Sequence, residues 1–152
     1  MMKMNYLLAG LFFCTNVVVA GCDNSTDFSD DDILSRDVPQ AVLDAFNTKY
    51  PKTSATWEKD RGMLKAEFRE RGNDTDVWYD VNGTWVRTET DLEARDLPQI
   101  VRDAVQNQFP SYRIEDVDLI ESPSEIYYLI ELEKNDYMEI KIKVTPEGEI
   151  LS

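Results

Sequence analysis

Oxygen ligands crowd the stretch DFSDDD at residues 27–32, and aspartates clustered in this way invite a calcium ion. A calcium loop, however, alternates its oxygen ligands, turns on a Gly at the sixth place and closes on a Glu at the twelfth. This run has neither, so it reads as a solvated charge run. Paired carboxylates offer a second chemistry, acid–base or nucleophilic work of the kind glycosidases perform. With 30 acidic residues some pair always lies near another by chance, and nothing in the sequence singles one out. Histidine is absent, which removes the commonest general base, the commonest metal ligand and every Ser-His or Cys-His dyad. No Gly-rich phosphate loop, G-x-S-x-G or H-E-x-x-H is present. The expectation is a chain that is not an enzyme and carries no metal or cofactor.

The cysteines point to a different chemistry. MMKMNYLLAGLFFCTNVVVAGC places Lys3 ahead of a mostly apolar run from Leu7 to Ala20. At ~14 residues the run is too short for a bilayer core that needs about 20, and suits the apolar region of a secretory signal. Val19-Ala20-Gly21-Cys22 resembles the lipobox of bacterial lipoproteins. The resemblance implies cleavage before Cys22, a diacylglyceryl thioether on its sulfur and acylation of the new amino terminus. Residues 1–21 would then leave with Cys14, and no free thiol would remain for disulfide, redox or metal chemistry. Residues 22–35, rich in Asp and poor in apolar side chains, read as a flexible acidic tether. The protein is expected to be exported and lipid-anchored in the cell envelope, at the periplasmic leaflet or the cell surface. Asp23 beside the lipidated Cys fits either address.

The elements that must position any site are written twice. RDVPQAVLDAFNTKYP (36–51) returns as RDLPQIVRDAVQNQFP (95–110), with eight of sixteen positions identical. Val38, Ala41, Val42, Ala45 and Phe46 form one apolar stripe at helical spacing, and Leu97, Ile100, Val101, Ala104 and Val105 repeat it. Pro39 and Pro98 fall in the first turn, and Asp37 and Asp96 stand near the positive helix end, where one can cap it. Tyr50-Pro51 and Phe109-Pro110 stop each helix. A helix of ~13 residues is marginal alone and needs a surface to lie on.

Strands supply that surface. Leu64, Ala66 and Phe68 alternate with Lys65, Glu67 and Arg69, while Met138, Ile140, Ile142 and Val144 alternate with Glu139, Lys141 and Lys143. ATWEK and IEDVDLI read as the earlier strand of each repeat. DVNG (80–83) and TPEG (145–148) fit a type I turn closed by a left-handed glycine, which pairs Tyr79 with Trp85 and Val144 with Ile150. Trp85 is then a core residue. The predicted architecture is α+β: two repeats, 36–94 and 95–152, each a helix followed by about four antiparallel strands. The helices pack on one face of the sheet. Units of ~55 residues bury little surface alone, so the two are expected to share a sheet or a core.

With the helices on one face, the other is open. The strand phases place Lys65, Glu67, Arg69, Trp78 and Asp80 there in the first repeat. In the second they place Tyr127, Leu129, Glu131, Tyr137, Glu139, Lys141 and Lys143. Trp78, Tyr127 and Tyr137 among fixed charges are similar to the aromatic anchors of a protein-binding surface. Their alternative is to fill cross-strand pairs. A net charge of −14 disfavours nucleic acid and anionic membrane surfaces as partners.

Two copies of [VL]-P-Q-x-V-x-D-A-x-x-x-x-[YF]-P, each leading into alternating strands and an N-G or E-G hairpin, resemble the PepSY-like, beta-lactamase-inhibitor-like proteins. ATWEKDRGMLKAEFRERGNDTDVWYDVNGTWV carries the pattern best, and the resemblance spans about residues 36–152. That family is abundant among lipobox-bearing Bacteroidetes proteins. It implies tandem repeats with helices on an antiparallel sheet, as in the beta-lactamase inhibitory protein, but its inhibitory loops have no match here. The functional expectation is a non-catalytic, inhibitor-like binding module that presents an open sheet face to an extracytoplasmic protein or peptide. Its alternative is an envelope-maintenance lipoprotein with no discrete ligand site.

Overall fold

The computed structural model describes residues 32–135 and 138–151. The expected signal peptide 1–21, Cys22, most of the tether and Tyr137 lie outside the described residues.

The doubled phrase folds as a helix each time: α1 spans Gln40–Lys49 and α2 spans Gln99–Gln108. Val42 and Phe46, one turn apart, are buried on α1, as are Val101 and Val105 on α2. Fully burying a Val or Phe contributes ~1.5–3 kcal/mol, enough for two such residues to hold a helix that is marginal alone. Both helices stop before Pro, where the amides of Tyr50 and Phe109 donate to Phe46 O and Val105 O at 2.8 Å each. The shared Gln and Asp also have a structural role. Gln40 Nε2 donates to Asp44 Oδ1 at 2.8 Å, and Gln99 Nε2 donates to Asp103 Oδ1 at 2.6 Å.

The strands are β1 (Asp32–Ile33), β2 (Thr56–Asp60), β3 (Met63–Glu70), β4 (Asn73–Tyr79), β5 (Trp85–Asp91), β6 (Arg113–Glu121), β7 (Ile126–Glu133), β8 (Glu139–Val144) and β9 (Ile150–Leu151). They form one antiparallel sheet in sequence order. The repeats meet along β5 and β6, where Thr88 lies opposite Glu121 and Asp91 opposite Asp118. Following the register, Trp57, Ala66, Val77 and Thr88 line up on one face, and Val117, Ile130 and Ile142 lie on that same face. Val42 and Phe46 pack on the first set and Val101 and Val105 on the second. Both helices therefore cover one side of the sheet, as predicted. Each repeat keeps its own core, so what the two share is the sheet.

The hairpins follow the predicted three-residue pattern. Gly83 N–H donates to Asp80 O at 3.0 Å and Gly148 N–H to Thr145 O at 2.9 Å, with φ +86° at both glycines. Tyr79 faces Trp85 and Val144 faces Ile150. A register shift after Trp78 makes room for one extra residue, Val86, so Trp85 turns into the first core while Arg87 points to the opposite face. Both turns press on a helix start: a Cβ on Gly83 would lie 2.4 Å from Ala41 O, and one on Gly148 3.0 Å from Ile100 O.

Three expectations need correction. The tether does not extend to residue 35, because Asp32 and Ile33 pair with Glu58 and Trp57 and a 3-10 turn occupies Ser35–Asp37. Asp37 and Asp96 cap neither helix, because each closes a 3-10 turn. Pro39 and Pro98 take the N-cap position instead, with extended ψ, and their carbonyls accept the first helical amides. In addition, Arg61-Gly62 and Arg71-Gly72 form two-residue turns at either end of β3, with positive φ at both central residues of each. That is the pattern of a type I′ hairpin.

Candidate functional site

The face without helices carries side chains in cross-strand rows. One row runs Lys65, Trp78, Arg87; the next runs Glu67, Asp76, Glu89, Ile120, Tyr127; a third runs Asp91, Asp118, Leu129, Lys143. Glu131 and Lys141 pair beyond them. The phases assigned from sequence hold for Lys65, Glu67, Arg69, Trp78, Tyr127, Leu129, Lys141 and Lys143, which share this face.

Sharing a face does not mean being presented. Trp78 is only 4% exposed, so it is not an open aromatic anchor. The Arg87 guanidinium stacks on its ring and its Nε1–H donates to Asp60 Oδ2. Asp80 lies just past β4 and is engaged in the hairpin turn: its Oδ1 accepts the amides of Thr84 at 2.9 Å and Asn82 at 2.8 Å. Those bonds, the Thr84 amide foremost, hold its carboxyl below the usual carboxylate range. The cations are engaged as well. Lys65 binds Glu58, Glu67 and Asp76; burial weakens its charge, but the three carboxylates outweigh that and raise its pKa. Arg69 pairs with Asp74 at 2.9 Å, Lys141 with Glu131 at 2.7 Å and Lys143 with Glu125 at 2.6 Å. The Lys143 ammonium also lies 3.7 Å from the centre of the Tyr127 ring. Tyr127 and Leu129 stay half-exposed.

The strand phases assigned from sequence omit the middle of the face. Arg87, Glu89 and Asp91 of β5 and Asp116, Asp118 and Ile120 of β6 meet where the repeats join. A signal was present, since Arg87, Glu89 and Asp91 alternate with Thr88 and Thr90. Asp91 sits directly opposite Asp118 and Asp76 opposite Glu89, an arrangement of like charges that destabilises a sheet. Burial, then Glu89, Asp116 and Asp91, push the Asp118 carboxyl up to about 6. Asp76 and Asp91 are raised as well, each chiefly by burial.

A carboxyl titrating there suits a general acid, yet a reaction site must also enclose its substrate. The depression lined by Asp74, Asp76, Glu89, Asp91 and Asp118 holds about 100 Å³. Larger open hollows of about 350 and 640 Å³ lie at the sheet's two ends, by β1 and β2 and beside α2 and β9, and a third of about 350 Å³ adjoins the depression along β3 and β4, lined by Glu67, Arg69, Asp74 and Asp76. Among the described residues no three potential ligands are grouped to hold a metal ion. The uncovered face is thus a shallow, charged surface with apolar patches, suited to contact and not to enclosure.

Comparison with known proteins gives a consistent picture. Residues 24–71 and 62–152 match the family described as "Putative beta-lactamase-inhibitor-like, PepSY-like". A DUF2874 family protein from Bacteroides ovatus superposes with TM-score 0.70 at 28% identity, covering 75% of this chain and 84% of that one. A protein of Bacteroides eggerthii described as "putative periplasmic" gives 0.68 at 28% identity, covering 76% and 86%. A BLIP-like protein from Bacteroides fragilis gives 0.68 at 26% identity, covering 75% and 84%. No curated protein matches the chain.

Proposed function

This chain belongs to the beta-lactamase-inhibitor-like, PepSY-like family, and on that footing we propose that it is a non-catalytic extracytoplasmic binding module that docks a protein or peptide on its uncovered sheet face. One observation carries the reading: both helices lie on the same side of a nine-stranded sheet, which leaves the other side, with half-exposed Tyr127 and Leu129, uncovered by any described element. Its breadth and shallowness suit a macromolecule, since pockets for small molecules are concave and typically ~300–1,000 Å³. The similar B. eggerthii protein, described as periplasmic, supports a location outside the cytoplasm, as does the signal-like amino terminus. In this reading Cys22 carries the lipid and the acidic segment after it spaces the folded repeats from the membrane.

The test is chemical crosslinking in the native envelope followed by capture of this chain. A binding module enriches one partner at a defined stoichiometry. Capture of this chain alone would favour an envelope lipoprotein without a ligand site. Radiolabelled palmitate incorporated into the wild-type chain and lost in Cys22→Ser checks the anchor separately.

A further inference from the structure

We infer that the docked partner presents a lysine- or arginine-bearing extended segment, whose cationic head seats over the β5–β6 seam while its aliphatic stem lies on Ile120, Tyr127 and Leu129. This rests on the binding-module reading and specifies the occupant.

Charge on the uncovered face is unbalanced. Lys65, Arg69, Lys141 and Lys143 are each held by carboxylates of their own neighbourhood, and Arg87 lies on Trp78 with Glu89 at 3.7 Å. None of these cations forms an ion pair with Asp91, Asp116 or Asp118; Lys141, held by Glu131, adds only a longer-range attraction at Asp116 and Asp118 that the surrounding acids and burial outweigh at Asp118. The register then sets these acids beside apolar side chains. Asp118 lies between Asp91 on β5 and Leu129 on β7, while Ile120 lies between Glu89 and Tyr127. Carboxylates abutting an aliphatic–aromatic strip complement a side chain with an apolar stem and a cationic end, which describes Lys and Arg. The depression of about 100 Å³ suits one side-chain head group, not a whole ligand.

Other occupants fit less well. A second copy of a chain with net charge −14 would bring acids against acids. A bare metal ion needs convergent ligands, and among the described residues no such group of three exists. Apposed like charges destabilise the free sheet, whereas an incoming cation converts the same placement into attraction.

The experiment titrates the ¹⁵N-labelled protein with a capped Leu-Arg-Leu-Arg-Leu peptide, using its Glu-for-Arg counterpart as control. Amide shifts are expected at Asp91, Asp118, Ile120 and Leu129. Asp91→Asn with Asp118→Asn should weaken binding by about fivefold or more, whereas Glu70→Gln with Glu147→Gln, removing the same charge elsewhere, should change it less than about twofold. Equal weakening in both pairs, shifts confined to other surfaces, or equal binding of the acidic peptide would each overturn the inference. The amide spectrum of each variant reports its folding. If crosslinking captures a partner that Asp91→Asn with Asp118→Asn leaves unaffected, the binding module stands and this assignment falls. If no partner is captured, the module itself falls.

Discussion

The Arg87 guanidinium lies 3.8 Å from the centre of the Trp78 ring, and the ring's Nε1–H donates to Asp60 Oδ2 at 2.7 Å. An indole on the open side of the sheet is thereby closed off by its own strand neighbours. A desolvated cation–π contact contributes about 2 kcal/mol, and burial of the ring adds more. Trp78→Ala should therefore cost about 3 kcal/mol of stability in urea unfolding, as for other buried aromatics. Arg87→Ala should leave the fold intact but raise acrylamide quenching of tryptophan fluorescence. A near-neutral Trp78→Ala would show that the ring is presented, not packed.

The two hairpin glycines are under unequal constraint. Both have φ +86°, but the approach to the helix start is closer at Gly83 than at Gly148. Gly83→Ala should cost about 3 kcal/mol and Gly148→Ala about 1–2 kcal/mol, in that order. Reversal of the order in thermal or urea unfolding would contradict the packing of the DVNG turn on Ala41.

The acidic seam makes stability depend on pH in an unusual direction. The Asp118 carboxyl is pushed up to about 6 in the folded protein, against about 3.9 for an unfolded Asp. Between those values the native state binds more protons than the unfolded one, so stability falls as pH rises. This contribution is complete below about 4 and lost through pH 6. Asp76 and Asp91 act in the same sense. The lowered Asp80 acts oppositely, but only as pH falls below the ordinary carboxylate range. Urea midpoints should therefore be higher at pH 5 than at pH 7, and Asp118→Asn should flatten the difference. A midpoint that climbs from pH 5 to pH 7 would contradict the seam.

Arg61 and Arg71 occupy the left-handed region with φ +50° and +54°, each followed by Gly. Asn tolerates that conformation better, and Asn-Gly is the preferred type I′ pair. Arg61→Asn and Arg71→Asn should each stabilise by about 0.5 kcal/mol, within the range of backbone-compatible substitutions. Destabilisation by either would mean that the arginine makes a contact that outweighs its strained backbone.

Local signals in the sequence carried much of the fold. Period-3.6 stripes gave α1 and α2, although Ala41 and Ile100 of those stripes are exposed, and alternation gave β3 and β8, although Met138 stays exposed outside β8. The fourth-position Gly of each hairpin put Trp85 opposite Tyr79 and hence into the core. Long-range register was not legible. Alternation shows that Asp91 and Asp118 point somewhere, but only the pairing of β5 with β6, across a whole helix, puts them opposite each other. The burial of Trp78 was hidden for a related reason. It depends on the extra residue Val86, which sends Arg87 to the same face, and bulges leave little trace in periodicity. The edge strand β1 is two residues long, too short for any periodic pattern.

The most direct test compares the two sides of the sheet. A photoreactive benzoylphenylalanine would replace either Leu129, on the uncovered face, or the exposed Gln106 of α2, and be activated in the native envelope. A strong crosslink to one protein from position 129, with none from position 106, is the predicted result. Equal labelling from both positions, or none from 129, would contradict a docking role for the open face.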